Sequence, residues 1–206
     1  MRRLTVCFAA LILASAVAAQ AEDGFKPLFN GKNLDGWVGD PDLWSVQDGV
    51  IVGTTDKKDL KHNSFLATKD SYSNFVLKAK FKLRNHNSGI QIRSKLYDEF
   101  VVKGYQPDID EGNYIGCLYE EGGRGVLSKP DSKQVMEHVK KGDWNEYEIT
   151  ADGPHIVEKI NGFITVDYTE KDEKAGAKDG IIALQLHAGP KMRVEFKDIE
   201  IKVLKK

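Results

Sequence analysis

The chain has 206 residues, of which 30 are basic, 31 are acidic and 41% are hydrophobic. This length fits one domain with a hydrophobic core of its own. The near-neutral charge excludes a basic surface for nucleic acid or anionic membranes, and the two cysteines exclude a disulfide-rich scaffold.

The N-terminal segment has the features of a secretory signal peptide. Arg2 and Arg3 precede an apolar run that is too short for a membrane anchor and ends in small residues, which predicts cleavage after Ala21. Cleavage would leave 28 of the 30 basic residues against 31 acidic ones, a net charge of −3, and Cys117 as the one remaining cysteine. We therefore predict that residues 22–206 form a single domain, exported to the periplasm or the medium, after a signal peptide of residues 1–21.

Strand patterns dominate the first half of the predicted domain. Residues 43–53 carry alternating apolar residues on either side of Asp48-Gly49, a hairpin turn pair. Residues 74–83 place aromatic and aliphatic side chains on one face and three lysines on the other, which is typical of a strand with one face in a core and one in water. Pro107, which has no amide donor, argues against a regular central strand around it.

The second half continues the pattern. Residues 155–168 predict a hairpin turned at Asn161-Gly162, and the apolar alternation in the last segment slips at Lys197-Asp198, which predicts a bulge. Residues 131–141 are the one helical segment in this prediction. Many short strands with few helices indicate an all-β sandwich of two antiparallel sheets, of the jelly-roll kind.

Two of these strands carry an unusual polar face. In HNSGIQIRSK (86–95) and GIIALQLHAG (180–189), aliphatic residues alternate with a Gln that is followed two positions later by Arg93 or His187. If the strands are neighbours, Gln91, Arg93, Gln185 and His187 form one patch of donors and acceptors suited to hydroxyl-rich ligands. A solvated outer face is the alternative, but the other exposed face is built of lysine, which favours a binding role here.

The glycine-rich segment 104–125 supplies tyrosines and carboxylates, which are common in sugar sites because rings pack on pyranose faces and carboxylates accept from hydroxyls. A calcium loop counted from Asp108 fails, because its fifth place is Gly112. The acid-x-acid-x-acid pattern of sandwich glucanases lacks its first acid, because Gln106 stands there. The five histidines show no metal-ligand spacing, so no cofactor is evident, and the sequence leaves a bound divalent metal open.

The motifs together are more specific than any one of them. In order, FKPLFNGKNLDGW, NSGIQIRS, GYQPDID, YIGCLYEE, WNEYEI, INGFITVDY, GIIALQLHAG and VEFKDIEIKVL resemble the 3-keto-disaccharide hydrolase family over residues 25–204. The resemblance implies a concanavalin A-like fold with a concave sugar-binding sheet, export from bacteria, and a small carbohydrate as the partner. Many family members carry Glu where this chain has Gln106, so the resemblance does not establish a catalytic acid at position 106.

The family's chemistry implies a set of site residues. A ketone at sugar C3 acidifies the C2 proton, so a base can remove it and expel the C1 substituent, after which water adds. The expected catalytic residues are Arg93 as enolate stabiliser, His187 or Asp108 as base, and Glu120 as acid or sugar anchor. The expected substrate-binding residues are Gln91, Tyr105, Gln106, Tyr119 and Gln185.

Two other functions stay open. A non-catalytic, lectin-like carbohydrate-binding module could use the same face, although the chain has no clear calcium loop and its tryptophans stand in core-like contexts. A glycanase acting on unoxidised polysaccharide is disfavoured by the missing acid triplet. The sequence leaves the sugar and the oligomeric state undecided.

Overall fold

A computed structural model describes residues 24–205. The predicted signal peptide lies outside these residues. None of the helices in the described range is both long and apolar enough to cross a bilayer.

The chain is built almost wholly of short strands. Their bounds are β1 Lys26–Pro27, β2 Trp37–Val38, β3 Trp44–Gln47, β4 Val50–Thr54, β5 Ser64–Tyr72, β6 Phe75–Leu83, β7 Asn87–Leu96, β8 Val102–Asp110, β9 Leu118–Glu121, β10 Gly125–Ser128, β11 Asn145–Asp152, β12 His155–Ile160, β13 Phe163–Thr169, β14 Gly180–Leu186 and β15 Arg193–Val203. A 3₁₀ turn at Asp98–Phe100 joins β7 to β8, and α1 spans Ser132–His138.

The strands form two antiparallel sheets, as predicted. One has eight strands in the order β13-β12-β11-β6-β15-β4-β3, with β1 paired to β15, and the other has seven in the order β10-β9-β8-β7-β14-β5-β2. Ile90 and Ile92 of the second sheet and Leu77 and Phe81 of the first are buried in one core between them. The driving force is the removal of this apolar surface from water, which the alternating pattern of each strand makes possible.

Most local predictions are confirmed. Asp48-Gly49 turns β3 into β4, and Asn161-Gly162 turns β12 into β13. The pairing of β15 with β6 shifts between Lys197 and Glu200, which is the predicted bulge.

The expectation for Pro107 is wrong, because Pro107 lies inside β8 between two partner strands. Its ladder to β7 pairs Gly89 with Asp108 and then Ile92 with Tyr105. Pro107 lies between these pairs, where the β7–β8 ladder has no pairing that requires the amide proton that proline lacks.

A bulge in β7 decides where the side chains of this strand point. Arg93 has a left-handed backbone (φ 46°), and the register of β7 shifts here against both β8 and β14. An extra residue in one strand reverses the alternation that follows it. Gln91 consequently shares its face with Ser94, whose hydroxyl donates to Gln91 Oε1 at 2.6 Å, and Arg93 is directed away from that face.

Arg93 ties the two sheets together. Its guanidinium donates to Ser73 O (2.6 Å) and Asn74 Oδ1 (2.9 Å) in the β5–β6 turn, and to Gly153 O (2.6 Å) in the β11–β12 turn. Gly104 and Gly180 make room for the bulge, because a Cβ at either position would lie within 2.5 Å of Arg93 or Ser94 atoms. The backbone of both glycines has a positive φ that other residues rarely adopt.

We predict that Arg93→Met lowers the free energy of unfolding by at least ~2 kcal/mol, because it removes three hydrogen bonds made by a buried cation, two of them to the backbone carbonyls of Ser73 and Gly153. Urea denaturation measures this change. Arg84→Met is the matched control, since Arg84 pairs with Asp56 at the exposed surface. Loss of the exposed pair should cost under ~1 kcal/mol. Equal costs for the two variants would contradict a tying role for Arg93.

Candidate functional site

The candidate site lies on the face of the seven-stranded sheet that points away from the core, called here the polar face. It carries Gln91 of β7, Gln106 and Asp108 of β8, and Gln185 of β14. The strands are neighbours as predicted, with Ala183 paired to Gln91. All four polar side chains are buried, at 4% exposure or less.

A chain of hydrogen bonds crosses this face. Ser94 Oγ donates to Gln91 Oε1, Gln91 Nε2 donates to Gln106 Oε1 at 2.8 Å, and Gln106 Nε2 donates to Asp108 Oδ1 at 2.7 Å. Gly89 makes this possible, because a Cβ there would lie 2.6 Å from the Gln106 side chain. These hydrogen bonds form together only when each amide group has one particular orientation. The network therefore holds the side chain of Asp108 in a fixed position at its end.

Asp108 is the most perturbed carboxyl group of the polar face. Burial raises its pKa well above the usual range, the bond from Gln106 opposes this, and the charges of Asp110 and Glu121 raise it further. Burial of this kind favours the protonated form of the carboxyl group. In that form Asp108 would carry a hydrogen-bond donor at the end of the amide chain.

His187 stands just beyond the end of β14, and His86 lies against it. His187 Nδ1 is 2.6 Å from Ala188 O, and because a carbonyl oxygen only accepts, Nδ1 is the donor in this contact. His86 Nε2 lies 3.1 Å from the same Nδ1, and the two rings meet edge to face with centroids 4.8 Å apart. His86 thus holds the imidazole of His187 in place.

Glu121 of β9 is the half-buried acid of the site. Burial raises its pKa, while a hydrogen bond from Asn63 Nδ2 (3.2 Å) and the nearby His187 lower it. Asn63 also accepts from the Ala188 amide at 2.9 Å, so one side chain positions both the acid and the segment after His187. A carboxyl group with opposing influences of this kind is suited to exchange a proton near neutral pH.

Gln185 is the unsatisfied group of the polar face. It is fully buried, and neither its Oε1 nor its Nε2 has a hydrogen-bond partner within the protein. A buried primary amide without partners is costly. Both amide atoms are enclosed by the protein, so Gln185 is a cost within the floor of the face and not an open contact for a ligand at the rim.

The segment joining β7 to β8 closes one end of the polar face. Val102 packs with Phe65, Ala67 and Ala183 in a small apolar cluster separate from the main core. The 3₁₀ turn at Asp98–Phe100 contacts β5, and Glu99 Oε2 lies 3.0 Å from His62 Nε2. The accessible part of the face is therefore the half-buried rim formed by Glu121, His187 and Tyr119.

The structure divides the predicted site residues between the two sides of the seven-stranded sheet. Residues on the polar face or at its rim are Gln91, Gln106, Asp108, Tyr119, Gln185 and His187. Residues on the other side are Arg93, Tyr105 and Glu120. Tyr105 donates to Glu170 (2.8 Å), and Glu120 pairs with Arg124, so neither reaches the polar face.

Sequence reasoning passed over three members of the site: Glu121, Asn63 and His86. Glu121 could have been found by strand parity, because β8 and β9 pair Gly104 with Glu121 and Tyr105 with Glu120. Glu121 thereby shares a face with Tyr119, two residues before it. No local signal marks Asn63 or His86, since both reach the site from segments outside the polar strands.

The polar face and its rim combine an imidazole, a half-buried carboxyl group and a buried carboxyl group whose pKa is raised. Side chains of these types can exchange protons with a ligand. Within residues 24–205, no group of three or more His, Cys, Asp or Glu side chains is arranged to hold a metal ion.

Comparison with solved structures shows the fold. A protein from Parabacteroides distasonis, provisionally described as a glycosyl hydrolase, matches with a TM-score of 0.67 and 23% identity over 88% of this chain and 94% of its own. The carbohydrate-binding module CBM66 from Bacillus subtilis matches at 0.63 and 13% identity over 81% and 95%. The Bacillus licheniformis β-glucanase matches at 0.57 and 10% over 88% and 97%. A jelly-roll fold is confirmed.

The sequence profile of the family described as "3-keto-alpha-glucoside-1,2-lyase-like domain" matches residues 24–202. This match covers nearly all of the described chain. A search of curated proteins gives no match. The chain belongs to the 3-keto-alpha-glucoside-1,2-lyase-like family, as its motifs indicated.

We predict that Asn63→Ala raises the pKa of Glu121 further, because the hydrogen bond that favours the ionised form is lost while burial remains. Carbon-detected NMR titration of the carboxyl groups measures the shift. His155→Ala is the control, since His155 pairs with Asp167 on an exposed strand of the other sheet. A lowered or unchanged pKa in Asn63→Ala would contradict this geometry.

Proposed function

We propose that this member of the family cleaves 3-keto-glycosides on its polar face, by elimination followed by addition of water. The observation that carries the proposal is the grouping of His187 and Glu121 at the rim of the polar face with the buried carboxyl group of Asp108 in its floor, in a chain of this family. Ordinary glycosidases use a pair of carboxyl groups that flank the scissile bond. An elimination does not need such a pair.

The reaction needs three functions from the protein. A base removes the C2 proton, and the electrons of that bond form the enolate of the C3 ketone. The enolate then re-forms the ketone, makes a C1–C2 double bond and expels the C1 oxygen, which takes a proton from an acid. Water adds across the double bond, with hydroxide at C1 and a proton at C2, so the products are a 3-keto sugar and the released alcohol.

We assign the base to His187. Its Nδ1 proton is committed to Ala188 O, so the lone pair of Nε2 is the group able to accept the C2 proton. His86 and Asn63 fix the ring and the chain after it, which keeps the base oriented before the substrate arrives.

We assign stabilisation of the enolate to Asp108. Arg93 was the sequence-based choice, but the bulge in β7 directs its guanidinium to the turns at the far side of the sheet. A carboxyl group kept neutral by burial can donate a hydrogen bond to a developing oxyanion in a site with little water. The amide chain through Gln106 holds Asp108 for this purpose.

We assign the acid that protonates the leaving oxygen to Glu121 in place of Glu120. Burial raises the pKa of Glu121, so a protonated fraction persists toward neutral pH. The predicted export of the chain is part of this proposal, because it would place the enzyme where released glycosides occur.

The second candidate is a carbohydrate-binding module without catalysis. The observation that favours it is the burial of the polar floor, since Gln91 and Gln185 have no exposed surface and only the rim is open. A binding module would use the rim hydrogen bonds without needing the proton transfers.

The deciding experiment compares a 3-keto disaccharide with the same unoxidised disaccharide in D₂O. We expect cleavage of the oxidised sugar alone, with deuterium appearing at C2 of the product, because the C2–H bond breaks and the proton returns from solvent. Cleavage without deuterium at C2 would contradict elimination. Binding of either sugar without cleavage would support the module instead.

We predict that Glu121→Gln lowers kcat at least ~100-fold, the usual scale for loss of a general acid, and that Glu120→Gln retains most activity. The two residues are adjacent and chemically identical but face opposite sides of β9. Steady-state kinetics on the 3-keto disaccharide measures both variants. If Glu120→Gln loses more activity than Glu121→Gln, Glu120 is the acid.

A further inference from the structure

A cavity, called here the edge cavity, lies on the other side of the seven-stranded sheet from the polar face. Its volume is about 620 Å³, within the range of small-molecule sites. Its walls are the β5–β6 turn, the β11–β12 turn and the segment between β13 and β14, with Arg93 and Tyr105 at the sheet. Tyr105 and Gln106 are successive residues of β8, so the edge cavity and the polar face are on opposite sides of one sheet.

The guanidinium of Arg93 lies at this cavity and forms no ion pair with a carboxylate of the described residues. All three of its bonded partners are neutral oxygens. Among the ion pairs of residues 24–205, none involves Arg93. Its two terminal nitrogens each carry a second hydrogen that can be donated to a ligand.

A fixed carboxylate forms another wall. Glu170 accepts from the Tyr105 hydroxyl at 2.8 Å and from Arg124 Nη2 at 2.6 Å. The hydrogen bonds from Arg124 lower the pKa of Glu170 to about 2, so it stays ionised. The wall is therefore rigid, and the charge of Glu170 is balanced by Arg124.

The mouth of the cavity adds groups that are free to bind. Glu173, Lys178 and Asp179 line the cavity and are exposed. Within the described chain, none of the three makes a side-chain hydrogen bond or ion pair. Pro154, Ile156 and Ala177 add apolar surface between them.

These groups together select the ligand class. Hydroxyl groups both donate and accept, so they can satisfy Arg93 and the carboxylates at once. An anion would be disfavoured, because the two cations Arg93 and Lys178 stand against three carboxylates that have no ion pair within the described residues, while Glu170 is paired with Arg124. The three carboxylates that line the cavity without an ion pair are Asp172, Glu173 and Asp179. We propose that the edge cavity binds a neutral, hydroxyl-rich ligand of one or two sugar units, at a site separate from the polar face.

The test uses binding of unoxidised sugars, so it does not depend on turnover of 3-keto-glycosides. The purified protein is ¹⁵N-labelled and titrated with glucose, cellobiose and trehalose, and with glucuronate as the anionic comparison. We expect saturable shifts at the amides of Ser73, Asn74, Gly153 and Gly176 with a neutral sugar. Glucuronate should bind at least ~10-fold more weakly, a difference of ~1.4 kcal/mol.

Variants separate the edge cavity from the rest of the surface. The double change Glu173→Ala and Asp179→Ala should weaken sugar binding about tenfold, and these partnerless side chains can be removed without loss of fold. Glu137→Ala on α1 is the control and should bind as the parent does. The proposal is overturned if no neutral sugar shifts the edge amides, if shifts occur only around Glu121 and His187, or if glucuronate binds as tightly.

Discussion

The left-handed residue in the middle of β7 is the constraint on which the polar face and the edge cavity both depend. One extra residue at Arg93 reverses the alternation of side chains, so Ser94 joins Gln91 and the guanidinium crosses to the other side of the sheet. The cost of this conformation is offset by three hydrogen bonds from a charged group, two to the β5–β6 turn that connects the two sheets and one to the β11–β12 turn of the eight-stranded sheet. The same bonds hold the wall of the edge cavity.

The polar face is unusual because its floor is buried and still built of amides and a carboxyl group. Burying such groups costs free energy unless each finds a partner, and the chain from Ser94 to Asp108 supplies those partners. The core side of the sheet has a similar arrangement. Glu158 is fully buried there, accepts from Tyr147 at 2.8 Å, and has its pKa raised by burial and by the charge of Asp108. Burial and the proximity of the other carboxyl group thus both favour the protonated form of Glu158.

Much of the fold could be predicted because its signals are local. The turn pairs at Asp48-Gly49 and Asn161-Gly162, the lysine face of β6 and the slip at Lys197-Asp198 each depend on neighbours in the sequence. The polar strands were also predicted to be neighbours, and they are. Pro107 was misjudged because its tolerance depends on the partner strand, and not on the residues beside it.

The site was predicted less completely, because the positions of its side chains depend on contacts between segments that are distant in the sequence. Alternation along a strand places Gln91, Gln185 and His187 correctly, but it places Arg93 on the wrong side, because the bulge is stabilised by turns distant in the chain. The choice between Glu120 and Glu121 depends on the register of β8 against β9, since a shift of one residue exchanges the two faces.

The sequence by itself determined the strand pattern, the family and the chemical groups available for a sugar site. Only the tertiary structure decided which of those groups meet. Side-chain direction follows from parity within a strand, whereas bulges, register and the approach of Asn63 and His86 depend on contacts between residues far apart in the sequence.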